Sequence, residues 1–356
     1  MLAACAATPP AASPAAGGYD RDAAAEQART FKTYGMANDW ANYGEQFTTF
    51  CEVSFGFDCN TPERSLGEDL LGAQEIAQLD AEKNNPVAIL ADIGILFVLQ
   101  AERVGVTADY LPPNAARLPE PFKSASGGWV ATFAGVPSFI VNVDFLDARD
   151  LPVPRSWAEL ARPEYAGMVG LNRVGISGSG TWAFVAMNLA AGGSTSDYQP
   201  GLEYGRRLLP NLTAQATLDT FEKGEVPISV RFDYNHIAWL DQLRERGVKA
   251  EIVIPADGSV YGPSALLMNR YETAHRDFGR MFMEWVLTDQ GQLIFARFGA
   301  RPIRSIIGED RLVVPAEARA SWLPDEIYAP VEAIDFTAID SEEIAALWEE
   351  HVVGAP

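Results

Sequence analysis

The stretch that most constrains the fold runs from Met168 to Leu189. Met168-Val-Gly-Leu171 is a short apolar run that reads as a strand, Ile176-Ser-Gly-Ser-Gly-Thr-Trp182 as a turn, and Ala183 to Leu189 as a helix. Strand, turn and helix start in succession form an α/β unit, and such a unit makes a cradle for an anion. The first N–H groups of a helix have no internal partner, and the dipole places partial positive charge there. Gly178 and Gly180 let backbone approach a ligand closely, while Ser177, Ser179 and Thr181 add hydroxyl donors. The competing reading is structural: Ser177 caps the helix and the glycines shape the turn.

At 356 residues and 48% hydrophobic, the chain supports two domains or one bilobed domain with a real core. Against 27 Lys and Arg stand 48 Asp and Glu, a net charge of −21. Such a surface argues against nucleic acid and anionic lipid as partners, and an anionic ligand would need local donors to overcome the overall field. No run of about 18 apolar residues is present to span a bilayer. Leu2-Ala-Ala-Cys5 resembles the lipobox of bacterial lipoproteins, which would make Cys5 the lipidated residue. Ala6 to Tyr19 is uncharged and rich in Ala, Pro, Gly and Ser, which suits a flexible tether. Residues 1–28 are therefore expected to be a lipobox-like start and tether, and the protein to be periplasmic or anchored at the cell surface. Cys51 and Cys59 then remain as an even pair. A disulfide closing their loop is expected in an oxidising compartment, with two free thiols as the alternative and zinc disfavoured for want of further ligands.

The folded part is expected to open at Arg29. Gly67 to Asn84 reads as helix, Val87 to Gly94 as strand, Ile95 to Val104 as helix, and Gly128 to Asp144 as two strands. Ser156 and Glu159 suggest a capping box. Val226 to Tyr234 reads as a strand ending in polar groups, Asn235 to Gly247 as helix, Ala250 to Pro255 as strand, and Gly258 to Met268 as a turn into a strand. Helices follow at Ala274 to Leu287 and Gly291 to Phe298, with two helical pieces in the tail. Asp92 closes an apolar strand, and ligands in open α/β sheets sit at the carboxyl ends of strands. It is thus a candidate ligand residue, with helix capping as the alternative.

Several stretches, in this order, resemble family 1 extracellular solute-binding proteins of ABC importers. They are Glu82-Lys-Asn-Asn-Pro86 into Ala91-Asp-Ile-Gly94, Gly135-Val-Pro137 into Val141-Asn142, and Ser156-Trp-Ala-Glu-Leu160 with Pro163-Glu-Tyr-Ala-Gly167. Further along come Ser179-Gly-Thr181, Glu222-Lys-Gly-Glu225, Asp233-Tyr-Asn235, Ser259-Val-Tyr-Gly-Pro-Ser264 and Glu284-Trp-Val-Leu-Thr-Asp-Gln-Gly-Gln292. The resemblance runs from Thr33 to Arg304. It implies the type 2 periplasmic-binding fold, the group that includes ferric-ion, polyamine and phosphonate binders: two α/β lobes joined by crossing strands and closing on a ligand. Residues 29–143 plus 256–305 would make lobe one, 144–255 lobe two, and 306–356 a helical tail, with crossings near Phe139 to Asp144 and Glu251 to Pro255. A membrane permease would be the partner, a monomer is expected, and no cofactor or catalysis is. In one departure, Arg231-Phe232 precedes Asp233 where many relatives carry Trp.

Such proteins place ligand contacts in the turn after the first strand, here Asn38, Trp40 and Tyr43. Lobe two would add Ser177, Gly178, Ser179, Gly180, Thr181 and Arg231 as donors. Asp92 and Asp233 offer carboxylates, and Tyr43, Tyr234 and Tyr261 offer phenols and aromatic faces that suit an ammonium group. Donors at one end and carboxylates at the other suit an anionic or zwitterionic solute, an aminophosphonate first and other phosphate-bearing solutes next. Arg231 could instead pair with Asp233. Ferric iron is the second reading, with Tyr43, Asp92, Asp233, Tyr234 and Tyr261 as hard oxygen ligands. A polyamine is a further option. Gly178 to Ala183 also matches the G-x-G-x-x-A dinucleotide pattern, with Asp197 near the expected offset, which would make an NAD-dependent oxidoreductase. Gly175-Ile-Ser-Gly-Ser179 fails the G-x-S-x-G elbow at its last position.

Overall fold

A computed structural model of the chain describes residues 18–67 and 70–354. Cys5 and most of the expected tether lie outside the described residues. The folded body starts earlier than Arg29. Arg21–Gln27 form a helix, capped by Asp20, whose Oδ1 accepts from the N–H of Asp22 (2.9 Å) and Ala23 (3.1 Å). Ala24 is buried there, and the helix packs on the Arg276–Trp285 helix. Residues 19–28, expected in the tether, thus pack on the folded body, and the Tyr19 hydroxyl donates to Glu284.

The strands in chain order are β1 (Thr33–Tyr34), β2 (Ser65–Leu66), β3 (Leu90–Gly94), β4 (Trp129–Gly135), β5 (Pro137–Asn142), β6 (Val169–Leu171) and β7 (Leu212–Thr213). They continue with β8 (Ile228–Phe232), β9 (Ala250–Val253), β10 (Ser259–Val260), β11 (Gly262–Met268), β12 (Arg301–Pro302) and β13 (Val331–Glu332). Two main sheets, one per lobe, take eleven of them, and β10 and β13 pair separately. The first has the order β12-β4-β11-β3-β1-β2 and the second β7-β6-β8-β5-β9. β1, β2 and β3 run parallel, as do β7, β6 and β8, while β11 and β5 enter antiparallel. Every residue of β4, β5 and β11 is buried, as expected of strands covered on both faces.

The chain leaves the first sheet for the second at Val136, between β4 and β5. β5 therefore belongs to the second sheet, and the lobe boundary expected at residue 143 falls at Val136 instead. Gly135-Val-Pro137 is too short to continue one sheet, so the two strands part there. Val136 is held on both sides by Asp233: its N–H donates to the Asp233 carboxylate (2.8 Å) and its carbonyl accepts from the Asp233 N–H (2.8 Å). The return to the first lobe runs between β9 and β11.

The tail is less helical than expected. It holds short 3-10 turns at Ala316–Arg319 and Asp325–Tyr328, then β13 beside β10, and only then a helix, Ser341–Trp348. Three prolines, Pro315, Pro324 and Pro330, break the pattern by removing backbone donors. The tail touches both lobes. Trp322 Nε1 donates to the Ala296 carbonyl (2.9 Å) on lobe one, and Trp348 meets Phe184 of lobe two edge-on at 5.7 Å. Near the turn after the Tyr43–Phe55 helix, Cys51 and Cys59 are joined as a disulfide, with Cα atoms 5.8 Å apart.

Candidate functional site

The two lobes enclose a cavity of about 780 Å³. Its floor on lobe one is the carboxyl ends of β1 and β3. Asp92 sits one turn of pleat before the end of β3, 5% exposed. Its Oδ2 accepts from Trp40 Nε1 (2.7 Å) and its Oδ1 from the Tyr43 hydroxyl (3.1 Å). Burial nevertheless pushes its carboxyl up to about 7. Beside it lies Glu75, from the first turns of the Gly72–Ala81 helix, also a cavity residue and 3% exposed. Burial, with the Asp92 charge adding to it, holds the Glu75 carboxyl well above the usual range.

Lobe two supplies the opposite wall. The Gly178–Ala190 helix begins at Ser177, whose side chain makes no capping bond, so the structural role weighed for Ser177 is not the one it takes. Its hydroxyl faces that of Ser179 (3.2 Å), which accepts from Asn172 Nδ2 (2.7 Å). Arg231 projects from β8 into the cavity with its Nε unpartnered. It forms no ion pair within the described residues and lies 5.6 Å from the Trp239 ring centre. Burial lowers its guanidinium from the ordinary value. The suggested Arg231–Asp233 pair is not formed. The strand ends at Phe232, Asp233 starts a helix, and its carboxylate turns away to Val136 and the Tyr328 hydroxyl (2.7 Å).

Of the expected contacts, Trp40, Asp92, Ser177, Gly178, Ser179 and Arg231 line the cavity, whereas Asn38, Tyr43, Gly180, Thr181, Asp233, Tyr234 and Tyr261 do not. Asn38 Oδ1 accepts from Arg64 (2.8 Å) and so shapes the loop carrying Trp40. Tyr43 acts behind Asp92. A Cβ on Gly180 would lie 2.4 Å from the Asn172 carbonyl, so this glycine serves packing. Thr181 is buried, donating to the Ser177 carbonyl (2.8 Å) and accepting from the Gly175 N–H (2.9 Å). Tyr234 is buried among Trp40, Phe133 and Phe232, and Tyr261 packs near Val136 and Tyr328. Of the five oxygen ligands considered for ferric iron, only Asp92 reaches the cavity, and among the described residues no group of three or more His, Cys, Asp or Glu is placed to hold a metal. The dinucleotide-like Gly178–Ala183 stretch lies inside the helix rather than in a loop before it.

Glu75, Asn172, Asn235 and Trp239 line the cavity without having been expected there. For Glu75 a signal existed: it stands four positions before the buried Leu79, on the apolar face of its helix. The others follow from the pairing of segments far apart in the chain.

Two α/β lobes that exchange strands and enclose a polar cavity define a solute-capturing, two-lobed binding protein. The sequence profile of the bacterial extracellular solute-binding proteins matches residues 89–329, and the chain belongs to that family. No curated protein matches it. Among solved structures it is similar to the periplasmic binding protein AfuA from Actinobacillus pleuropneumoniae with fructose-6-phosphate bound, at 16% identity and TM-score 0.67 over 91% of this chain and 98% of that one. It is also similar to the periplasmic binding protein P5PA (18%, TM-score 0.70, 91% and 99%). A third is iron-bound HitA from Pseudomonas aeruginosa (18%, TM-score 0.61, 90% and 98%). These likenesses carry the fold.

Proposed function

We propose that this protein is the substrate-binding component of an ABC importer and that its cargo is a small zwitterion. The anionic group would rest on Arg231 and the Ser177–Ser179 helix start, and the ammonium group against Asp92 and the face of Trp40. The observation that carries this reading is the pairing of walls: a guanidinium that forms no ion pair among the described residues shares one cavity with buried carboxylates. A partly buried cation without an ion pair and a buried anion are each costly, and a solute bearing both signs relieves both costs at once. The cavity volume lies within the range of small-molecule sites. Fructose-6-phosphate in AfuA and iron in HitA differ so much that shared fold does not choose a ligand. An aminophosphonate is the first candidate. Delivery to a membrane permease from the periplasm or the cell surface, as a monomer with Cys5 as lipid anchor, belongs to the same proposal.

Thermal shift across 2-aminoethylphosphonate, 4-aminobutanoate, sugar phosphates, polyamines and ferric citrate tests it. A zwitterion at hundredfold excess over its Kd should stabilise the protein by roughly 2.7 kcal/mol. Stabilisation by ferric citrate or polyamine alone would refute the reading.

A further inference from the structure

We infer that Glu75 is the residue that reads the cationic end of the cargo, restricting it to an ammonium that can donate hydrogen bonds. The inference rests on the zwitterion reading and names the chemistry of one end of the same site. Glu75 is 3% exposed and lines the cavity, and its Oε2 has no hydrogen-bond partner. A buried carboxylate without a donor is expensive, by several kcal/mol in general, so the site is incomplete until a donor arrives.

The surroundings say what kind of donor. No Lys, Arg or His forms an ion pair with Glu75 among the described residues, and the charge that acts on it is that of Asp92. Asp39, from the loop after β1, also lines the cavity and its charge acts on Arg231, which projects from the other lobe; Arg297, a second cation of the lining, is paired with Glu45. Two buried carboxylates side by side repel, and a cation between them removes the repulsion. The two acids are not equivalent. Both Asp92 oxygens already accept from Trp40 and Tyr43. Glu75 keeps an open acceptor and so responds to whether the incoming cation carries N–H groups.

Its position is fixed by the backbone beneath it. Gly35 has φ +65, and a Cβ there would lie 2.8 and 2.9 Å from the two Glu75 oxygens and 2.7 Å from the Asp92 carbonyl. The carboxylate therefore rests directly against a glycine that no other residue can replace without displacing it. A carboxylate held this way discriminates by geometry. A primary ammonium offers three donors, whereas a trimethylammonium offers charge without any.

The test uses the full-length protein, calorimetry, and two probes, 2-aminoethylphosphonate and 4-aminobutanoate, each with its N-methyl, N,N,N-trimethyl and deaminated counterparts. With wild type, affinity should fall by about tenfold or more from the primary ammonium to the trimethylammonium and to the deaminated compound, the worth of a charge-assisted hydrogen bond. Glu75→Gln should bring these differences to within about threefold, while Ser177→Ala should weaken all compounds alike. Should Glu75→Gln fail to fold, the wild-type N-methylation series decides alone: a graded loss supports the role, and a flat series overturns it. Retention of the wild-type preference by a folded Glu75→Gln overturns the role of Glu75 and leaves the zwitterion reading standing. Wild type that binds neither probe overturns both.

Discussion

Gly94 and Gly178 bring the two lobes to backbone contact: a Cβ on Gly94 would lie 3.2 Å from the Gly178 Cα, and one on Gly178 would lie 3.5 Å from the Gly94 Cα. Close by, the Ala73 N–H donates to the Ile176 carbonyl across the same gap (3.3 Å). Gly178 meets nothing else within 4 Å apart from Gly94, so a larger side chain there acts on lobe closure and not on the packing of its own lobe. Gly178→Val should hold the lobes apart, weakening cargo binding by about tenfold or more while changing unfolding free energy by less than about 1 kcal/mol. Calorimetry with 2-aminoethylphosphonate and small-angle scattering at saturation check this. Unchanged affinity with an unchanged radius of gyration would show that closure tolerates the bulk.

Arg231 lines the cavity and forms no ion pair among the described residues. Removing it should separate binding from stability. Arg231→Met keeps the stem and deletes the charge, so affinity for an anionic group should fall by about 2–3 kcal/mol, the worth of a charge-assisted contact. The ligand-free protein should be as stable as wild type or more so, because a half-buried cation without an ion pair has been removed. Urea denaturation and calorimetry on the same preparation decide it. A variant that binds normally would mean the anionic group sits elsewhere.

Much of the fold was legible in the chain. β3, β4, β5 and β8 stand where apolar runs and Pro or Gly punctuation put them, because buried strands write themselves locally, whereas the helix expected from Ala183 already starts at Gly178, inside the stretch read as a turn. Short elements such as β1, β2, β7 and β12, two residues each, carry no periodicity and appear only when a partner strand is present. At the site the same division holds. Asp92 was visible as a polar residue ending an apolar strand, and Arg231 as a charge near the end of another. The inward turn of Asp233 was not, because it depends on Val136 and on Tyr328, nearly a hundred positions away on either side. Alternation along β8 would put residues 231 and 233 on one face, but the strand stops at 232. Tyr43 was expected at the ligand from its place after the first strand and its phenol, and the structure sets it one layer back, bonded to Asp92.

Thr181 gives a sharper contrast between expected and observed roles. Its hydroxyl accepts from Gly175 N–H and donates to the Ser177 carbonyl, all buried. Thr181→Val should therefore lower stability by about 1–3 kcal/mol, through an unsatisfied backbone N–H, and weaken binding only to the extent that the loop loosens. Chemical denaturation measures the first and calorimetry the second. A loss of affinity with full stability would restore Thr181 as a direct contact.

Asp92 predicts a pH dependence whose sign can be worked out. Its folded carboxyl titrates at about 7, above the ordinary value of an unfolded Asp at about 3.9. Between those values the folded state holds more protons than the unfolded state, so this group's contribution is complete below about pH 4 and is lost as pH rises through about 7. Ligand-free protein should lose stability from pH 5 to pH 8, and Glu75, raised in the same direction, should add to the loss. A bound ammonium favours the ionised acids, so cargo affinity should rise across the same interval with release of protons. Denaturation at several pH values, for wild type and Asp92→Asn, tests it. The prediction fails if Asp92→Asn shows the same slope as wild type.

Tyr328 ties the tail to the lobe crossing through one carboxylate. Its hydroxyl donates to Asp233 Oδ2 (2.7 Å), while the other Asp233 oxygen accepts from the Val136 N–H (2.8 Å). Arg301 of lobe one lies 4.1 Å from the Tyr328 ring centre and 3.7 Å from that of Trp322. Tyr328→Phe keeps the ring and its contact with Arg301 and removes only the donor. The fully buried Asp233 then lacks one hydrogen bond to its charged form, which should cost about 1–3 kcal/mol of stability. Burial already raises the Asp233 carboxyl, and losing a donor raises it further. A folded carboxyl raised above its unfolded value contributes stability that is lost as pH rises, so the deficit of the variant should be larger at pH 8 than at pH 5. Cargo affinity should change little, since neither residue lines the cavity. Denaturation at both pH values, with calorimetry at one, separates the outcomes. A large loss of affinity at unchanged stability would place Asp233 in the ligand site after all, and would revive the carboxylate-and-phenolate arrangement that the geometry of the crossing argues against.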